Sequence, residues 1–158
     1  VKDGHIKPTL LRSATSPNHD QDRECHTFTY AMLAHGGDVS ASPVVNEAYD
    51  LNVPLTVAHT GAHDGSLPGQ FSLINTDKSN IIIETVKKAE DSDSVIVRLY
   101  ETWNSRTETE ISFGRPVKSV NECNLMEEKD APLALTDGKL ALTFRPFEIK
   151  TIKLSFFS

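Results

Sequence analysis

The chain has 158 residues, of which 38% are apolar and 24% charged, a balance that supports a packed core and excludes a disordered chain. Its net charge of −6, with no long basic run, excludes a general nucleic-acid binder. No stretch approaches the ~20 consecutive apolar residues of a membrane span, so no membrane partner is expected. The start, VKDGHIK, lacks the apolar centre of a signal peptide. With no methionine at Val1, the chain reads as a processed or excised piece of something longer. The two cysteines, Cys25 and Cys123, could form one bridge but no disulfide framework; free thiols in a reducing, cytoplasmic compartment are the expectation.

Asp3-Gly4 marks a turn, and residues 9–13 predict a short strand behind Pro8. Residues 14–25 form a long loop, and long loops in compact domains are often functional. Residues 20–37, DQDRECHTFTYAMLAHGG, combine an acidic lead-in, a strand-like alternation over 26–34 and a Gly36-Gly37 stop. Phe28, Tyr30 and Met32 share one parity, which predicts a buried strand with Phe28 and Tyr30 in the core. Ser42-Pro43 starts a short helix over about residues 43–50, with Val44, Val45, Ala48, Tyr49 and Leu51 as its apolar stripe. Residues 52–57 are extended, and Pro54 restricts them to an edge or a loop. Residues 59–69 form a second loop, 71–74 a short strand and 76–80 a turn.

From Ile81 onward the pattern is regular. Strands are predicted at 81–90, running into a charged end, and at 94–103, 107–113, 117–125, 140–144 and 147–157, with acidic or polar turns between them. Along 94–103, Val95, Val97 and Leu99 share one face and Ile96, Arg98 and Tyr100 the other. Residues 127–130 read as a solvated turn. Asp137-Gly138 is a hairpin signal. Short strands at this spacing predict an all-β protein, an antiparallel β-sandwich with little helix. Residues 1–78 read as the end portion of a large β-sandwich with long loops, and 79–158 as a small C-terminal β-sandwich. The front part has too few strands to close a core alone, so it must pack on the second part or on a neighbour.

Four constellations could carry chemistry. His19, Asp20, Asp22 and His26 hold metal-ligand types, but their spacing is undefined and a polar rim loop is the better reading. His59 and His63 have the i, i+4 spacing of a helical metal pair, but Gly61 and Gly65 break any helix there, leaving a solvated loop. Arg12 offers a planar fork beside the 14–25 loop, either for a ligand or to tie Asp20 and Asp22 to the neighbouring strand. Tyr100 and Trp103 could stack on a sugar face or sit half-buried in the sandwich. No residue qualifies as catalytic and none as a metal ligand; the candidates are Arg12, Asp20, Asp22 and His26 for a substrate rim, and Tyr100 and Trp103 for carbohydrate stacking.

Leu10-Leu11-Arg12-Ser13, then Asp20, Asp22, His26, Phe28-Thr29-Tyr30-Ala31, Leu33, His35 and Gly37 resemble the C-terminal region of class II α-mannosidases, glycoside hydrolase family 38. EAYDLNVPL at 47–55 resembles the same family. SVIVRLYETWNSRTETEISF and LTFRPFEIKTIKL look like the terminal sandwich of its cytosolic-type branch. Two features depart from the pattern: Glu24 replaces a usual glycine, and Ala14-Thr15-Ser16 separate Ser13 from Pro17. The resemblance implies part of a retaining glycosidase that cleaves terminal α-mannosyl residues. It implies that the nucleophile, the acid/base and a divalent metal, zinc in many members, lie in an N-terminal catalytic domain outside these residues. This region alone is then inactive and needs no cofactor. Its partners are that catalytic domain and mannose-containing glycans. The alternatives are an independent carbohydrate-binding β-sandwich and a ligand-free interaction module.

Overall fold

The computed structural model describes residues 3–66, 68–128 and 130–157. The chain divides into two compact units, Val1–His35 and Gly36–Ser158.

The first unit has no helix and no multi-residue strand among its described residues. The strands expected at 9–13 and 26–34 are therefore not formed. Phe28, Tyr30 and Met32 are exposed, Tyr30 at 75% and Met32 at 89%, so the expected core role of Phe28 and Tyr30 is overturned. Alternation prepares a face, but a strand needs a ladder partner for its N–H and C=O groups, and none of the described residues supplies one. What order exists is local. The Asp22 carboxylate accepts from the Ser13 N–H at 3.1 Å, and Asn18 Oδ1 accepts from the Asp20 N–H at 3.0 Å. Ser13 and Asp22 take left-handed φ values of 49° and 61°, a conformation that short polar side chains tolerate. Glu24, at the position where the resembled pattern has glycine, needs no such conformation.

The second unit begins with a 3-10 turn, Val39–Ala41, and helix α1, Val44–Asn52. Buried Ser42 donates to the Val39 carbonyl at 2.8 Å and accepts from the Val44 N–H at 3.4 Å. Pro43 stands at the N-cap, one place earlier than expected. The Val53 N–H closes on the Tyr49 carbonyl at 2.8 Å, and Pro54 prevents continuation.

Eight strands follow among the described residues. β1 (Ile74–Thr76), β4 (Thr107–Phe113) and β7 (Leu140–Phe144) form a three-stranded sheet, order β1-β4-β7. β2 (Ile81–Lys88), β3 (Val95–Glu101), β8 (Ile149–Phe156), β5 (Val117–Cys123) and β6 (Ala131–Leu133) form a five-stranded sheet, order β2-β3-β8-β5-β6. Every pairing is antiparallel. The main core lies between the sheets: Ile111, Leu140, Leu142 and Phe144 from one, Ile81, Val97, Leu99, Val120, Ile152 and Leu154 from the other. The all-β sandwich with one short helix is thus the observed architecture. The alternation along β4 and β7 places Thr107, Thr109 and Ile111, and Leu140, Leu142 and Phe144, inward as their period requires. On the outer face of the larger sheet, Ile96, Ala89 and Cys123 form a second small cluster.

Three local expectations change. The strand expected at 71–74 starts at Ile74, because residues 71–73 pass directly over Gly114. The Gly114 N–H bonds the Leu73 carbonyl at 3.0 Å, and a Cβ on Gly114 would collide with the Ser72 carbonyl oxygen. The Asp137-Gly138 turn forms, with both residues at positive φ and paired bonds between Thr136 and Lys139. It joins β6 of one sheet to β7 of the other, so it is a crossover rather than the tip of a ladder pair. Of the turn expected at 127–130, Lys129 lies outside the described residues, and Glu127 is not solvated. Glu127 is buried because the turn folds onto the sheet, where Lys87 meets its carboxylate at 2.7 Å and the Glu90 N–H donates at 2.9 Å.

Candidate functional site

The most ordered polar feature is a knot around Glu101, the last residue of β3. Its side chain is completely buried. Oε1 accepts from Asn80 Nδ2 at 2.9 Å, the Trp103 N–H at 2.6 Å and Ser105 Oγ at 3.2 Å. Oε2 accepts from the N–H groups of Ser105 at 3.2 Å and Phe147 at 3.0 Å. Asn80 Nδ2 also reaches Thr107 Oγ1 at 2.7 Å, and the Asn80 carbonyl accepts from the Thr102 N–H at 2.9 Å. One carboxylate therefore ties together the β1–β2 turn, the β3–β4 turn and the turn before β8. Burial pushes the Glu101 carboxyl up, but the bonds from Phe147, Asn80, Trp103 and Ser105 outweigh it and hold the group below its ordinary value. A carboxylate saturated by donors and closed to solvent has no lone pair to offer a substrate. Its chemistry is structural. Sequence parity carried a signal for it: Glu101 continues the Val95, Val97, Leu99 series and so points inward.

The second feature is a cleft between α1 and the outer face of β3. Tyr49 and Tyr100 meet through their hydroxyls at 3.1 Å. Val44, Val45, Ala48 and Val53 complete an apolar wall around about 400 Å³. Desolvation, then the bond to Tyr49, push the Tyr100 phenol up to about 12. The helix stripe and the outward parity of Tyr100 were both readable, but their meeting was not.

The remaining candidates divide between the units. Arg12, Asp20, Asp22 and His26 all lie in the first unit. Asp22 is half-buried, whereas Arg12, Asp20 and His26 are exposed. Arg12 makes no tie to Asp20 or Asp22. Asp20 pairs instead with Arg23 at 2.9 Å, and Asp22 is anchored through the Ser13 backbone. His26 stacks on Phe28 with ring centres 6.1 Å apart. In the second unit Trp103 is half-buried in the turn that Glu101 holds. His59 and His63 lie in an exposed loop without helix. Both cysteines are free thiols, Cys25 exposed and Cys123 buried. Among the described residues no three His, Cys, Asp or Glu side chains converge as a metal centre requires. No helix among them is long and apolar enough to cross a membrane.

The second unit is a two-sheet antiparallel β-sandwich whose best-formed polar cluster holds its turns together. Residues 80–152 match the family model of the glycosyl hydrolases family 38 C-terminal beta sandwich domain, and the chain carries that domain. The match opens at Asn80 and takes in every residue of the Glu101 knot. The chain is also similar to Alpha-mannosidase G of Dictyostelium discoideum, at 35% identity over 95% of this chain and 14% of that protein. It is similar to Alpha-mannosidase 2C1 of Mus musculus, at 31% identity over 98% of this chain and 15% of that protein. The Homo sapiens protein of the same name is 32% identical, with the same coverage. The chain thus spans about one-seventh of the length of these relatives.

Proposed function

We propose that this chain is the C-terminal β region of an α-mannosidase, a retaining glycosidase that removes terminal α-mannosyl residues, and that it supports a catalytic domain outside these residues. One observation carries the reading: nearly the whole chain aligns with α-mannosidases, yet fills only 14% to 15% of them. The nucleophile, the acid/base and any divalent metal, zinc by family resemblance, are assigned to that catalytic domain. Residues 1–78 are read as the end of a large sandwich completed there, which accounts for the exposed Phe28, Tyr30 and Met32. Arg12, Asp20, Asp22 and His26 are assigned to the rim of the glycan cleft. The two free thiols support a reducing, cytoplasmic setting.

The test is an assay of a chromogenic α-mannoside with the full-length polypeptide and with this chain alone. Turnover by the full-length protein and none by the chain is the expected result. Turnover by the isolated chain overturns the supporting role. Glycan binding by the isolated chain, lost on Trp103→Ala, transfers the function to an independent carbohydrate-binding sandwich.

A further inference from the structure

Residues 53–57 leave α1 as an exposed segment outside any helix or strand. Val53, Leu55 and Val57 alternate with Pro54 and Thr56, the period-two pattern of a strand with one apolar face. Yet Leu55 is 94% exposed and Val57 78%. Among the described residues, the N–H groups of Leu55, Thr56 and Val57 have no hydrogen-bond partner. Val53 also lines the apolar cleft beside Tyr49 and Tyr100, so ridge and cleft form one surface within the second unit. A face this apolar on an unpaired extended backbone is a sheet edge lacking its neighbour. About six-sevenths of the length of the relatives lies outside this chain, which supplies ample polypeptide to cover it.

We propose that residues 53–57 form an edge strand of a β-sheet belonging to the preceding part of the same polypeptide, and that the neighbouring strand places an apolar side chain in the Tyr49–Tyr100 cleft. This rests on the reading of the chain as one end of a longer enzyme. The sequence also sets which edge of the strand is paired. Along a strand, successive residues turn their backbone groups to opposite sides. Pro54 has no N–H and must stand on the unpaired side, with Thr56. Leu55 and Val57 therefore direct their N–H groups at the neighbour. Side chains follow the same division: Leu55 and Val57 go inward and Thr56 outward.

The experiment uses the full-length polypeptide, with the isolated chain alongside. Residue-resolved hydrogen exchange is read at Leu55, Thr56 and Val57. Peptide-resolved labelling by a thiol reagent is compared for Leu55→Cys and Thr56→Cys. In the full-length protein, Leu55 and Val57 exchange slowly and Thr56 fast, and Leu55→Cys labels on the order of ten-fold or more slowly than Thr56→Cys. In the isolated chain all these sites react as open loop. If the cysteine variants do not fold, exchange on the unsubstituted protein still decides. Open-loop exchange at Leu55 and Val57 in a full-length protein that hydrolyses α-mannosides overturns the strand and leaves the enzyme reading standing. Alternate-site protection in a full-length protein without that activity keeps the strand and removes the enzyme. Protection already present in the isolated chain places the partner within these residues and also overturns the proposal.

Discussion

The Glu101 knot makes a quantitative prediction. Glu101→Gln preserves shape and removes one acceptor atom. Oε1 serves three donors and Oε2 serves two, the N–H groups of Ser105 and Phe147. If the new amide nitrogen takes the Oε2 position, two backbone donors face a third donor. If it takes the Oε1 position, three donors face a fourth. Leaving a buried donor unsatisfied costs about 1–3 kcal/mol, and charge-assisted bonds lie at the upper end of the scale. At least two such losses give about 3–5 kcal/mol, a large part of the 5–15 kcal/mol that stabilises a typical domain. The assay is urea unfolding followed by the fluorescence of Trp103, the single tryptophan, whose own N–H bonds Glu101. The pH dependence has a definite sign. The folded carboxyl lies below its ordinary value of 4.5, so its contribution is present above that value and is lost as pH falls through the folded pKa. Unfolding of the wild type should therefore ease steeply below pH 4.5, and Glu101→Gln should flatten that dependence. A Gln variant within about 0.5 kcal/mol of wild type, the scatter expected of ordinary surface changes, would show that the knot does not hold the turns.

Gly114→Ala forces a methyl group into the Ser72 carbonyl; a loss of about 1–3 kcal/mol is expected in the same unfolding assay, and a neutral result would mean residues 71–73 are not seated there. Tyr49→Phe removes the hydroxyl partner of Tyr100. The Tyr100 titration, at about 12 in the parent, should move down toward 10.0 in an ultraviolet absorbance titration. Because the folded pKa is raised, stability linked to Tyr100 is present below pH 10.0 and lost as pH rises toward 12; an unmoved titration in the variant would refute the contact with α1. Arg12→Ala in the full-length enzyme should lower kcat/KM for α-mannosides without shifting the unfolding midpoint, and unchanged kinetics remove Arg12 from the rim.

The legible part of the fold was the part whose strands found partners inside the chain. Alternation over 94–103 put Val95, Val97 and Leu99 on one face, and Val97 and Leu99 meet the facing sheet, because in an antiparallel sandwich one face of each strand meets the core; Ile96 on the other face is buried as well, in the small outer cluster. β6 was missed because three residues containing Pro132 carry almost no alternation; its place beside β5 at the sheet edge is where a proline is tolerated. Glu127 read as solvent-facing, since a turn rich in charge normally is; Lys87 of β2, Arg98 of β3 and the N–H of Glu90 in the turn after β2 converge on its carboxylate. Of the candidate site, the residues were visible but not their relations. Tyr100 and Tyr49 are 51 positions apart, and the tie expected between Arg12 and the acidic loop runs through Ser13 instead.

The sequence by itself determined the local alternatives: which side chains share a face, where proline and glycine stop an element, and that the back half is an antiparallel sandwich. Tertiary structure decided which faces are covered. Residues 26–33 and 95–101 both alternate, yet Val97 and Leu99 are buried while Tyr30 and Met32 stand in solvent. A period of two is a property of one chain segment; burial is a property of a segment and its partner. β3 has β2 and β8 beside it and a facing sheet, and no described segment plays that part for 26–33.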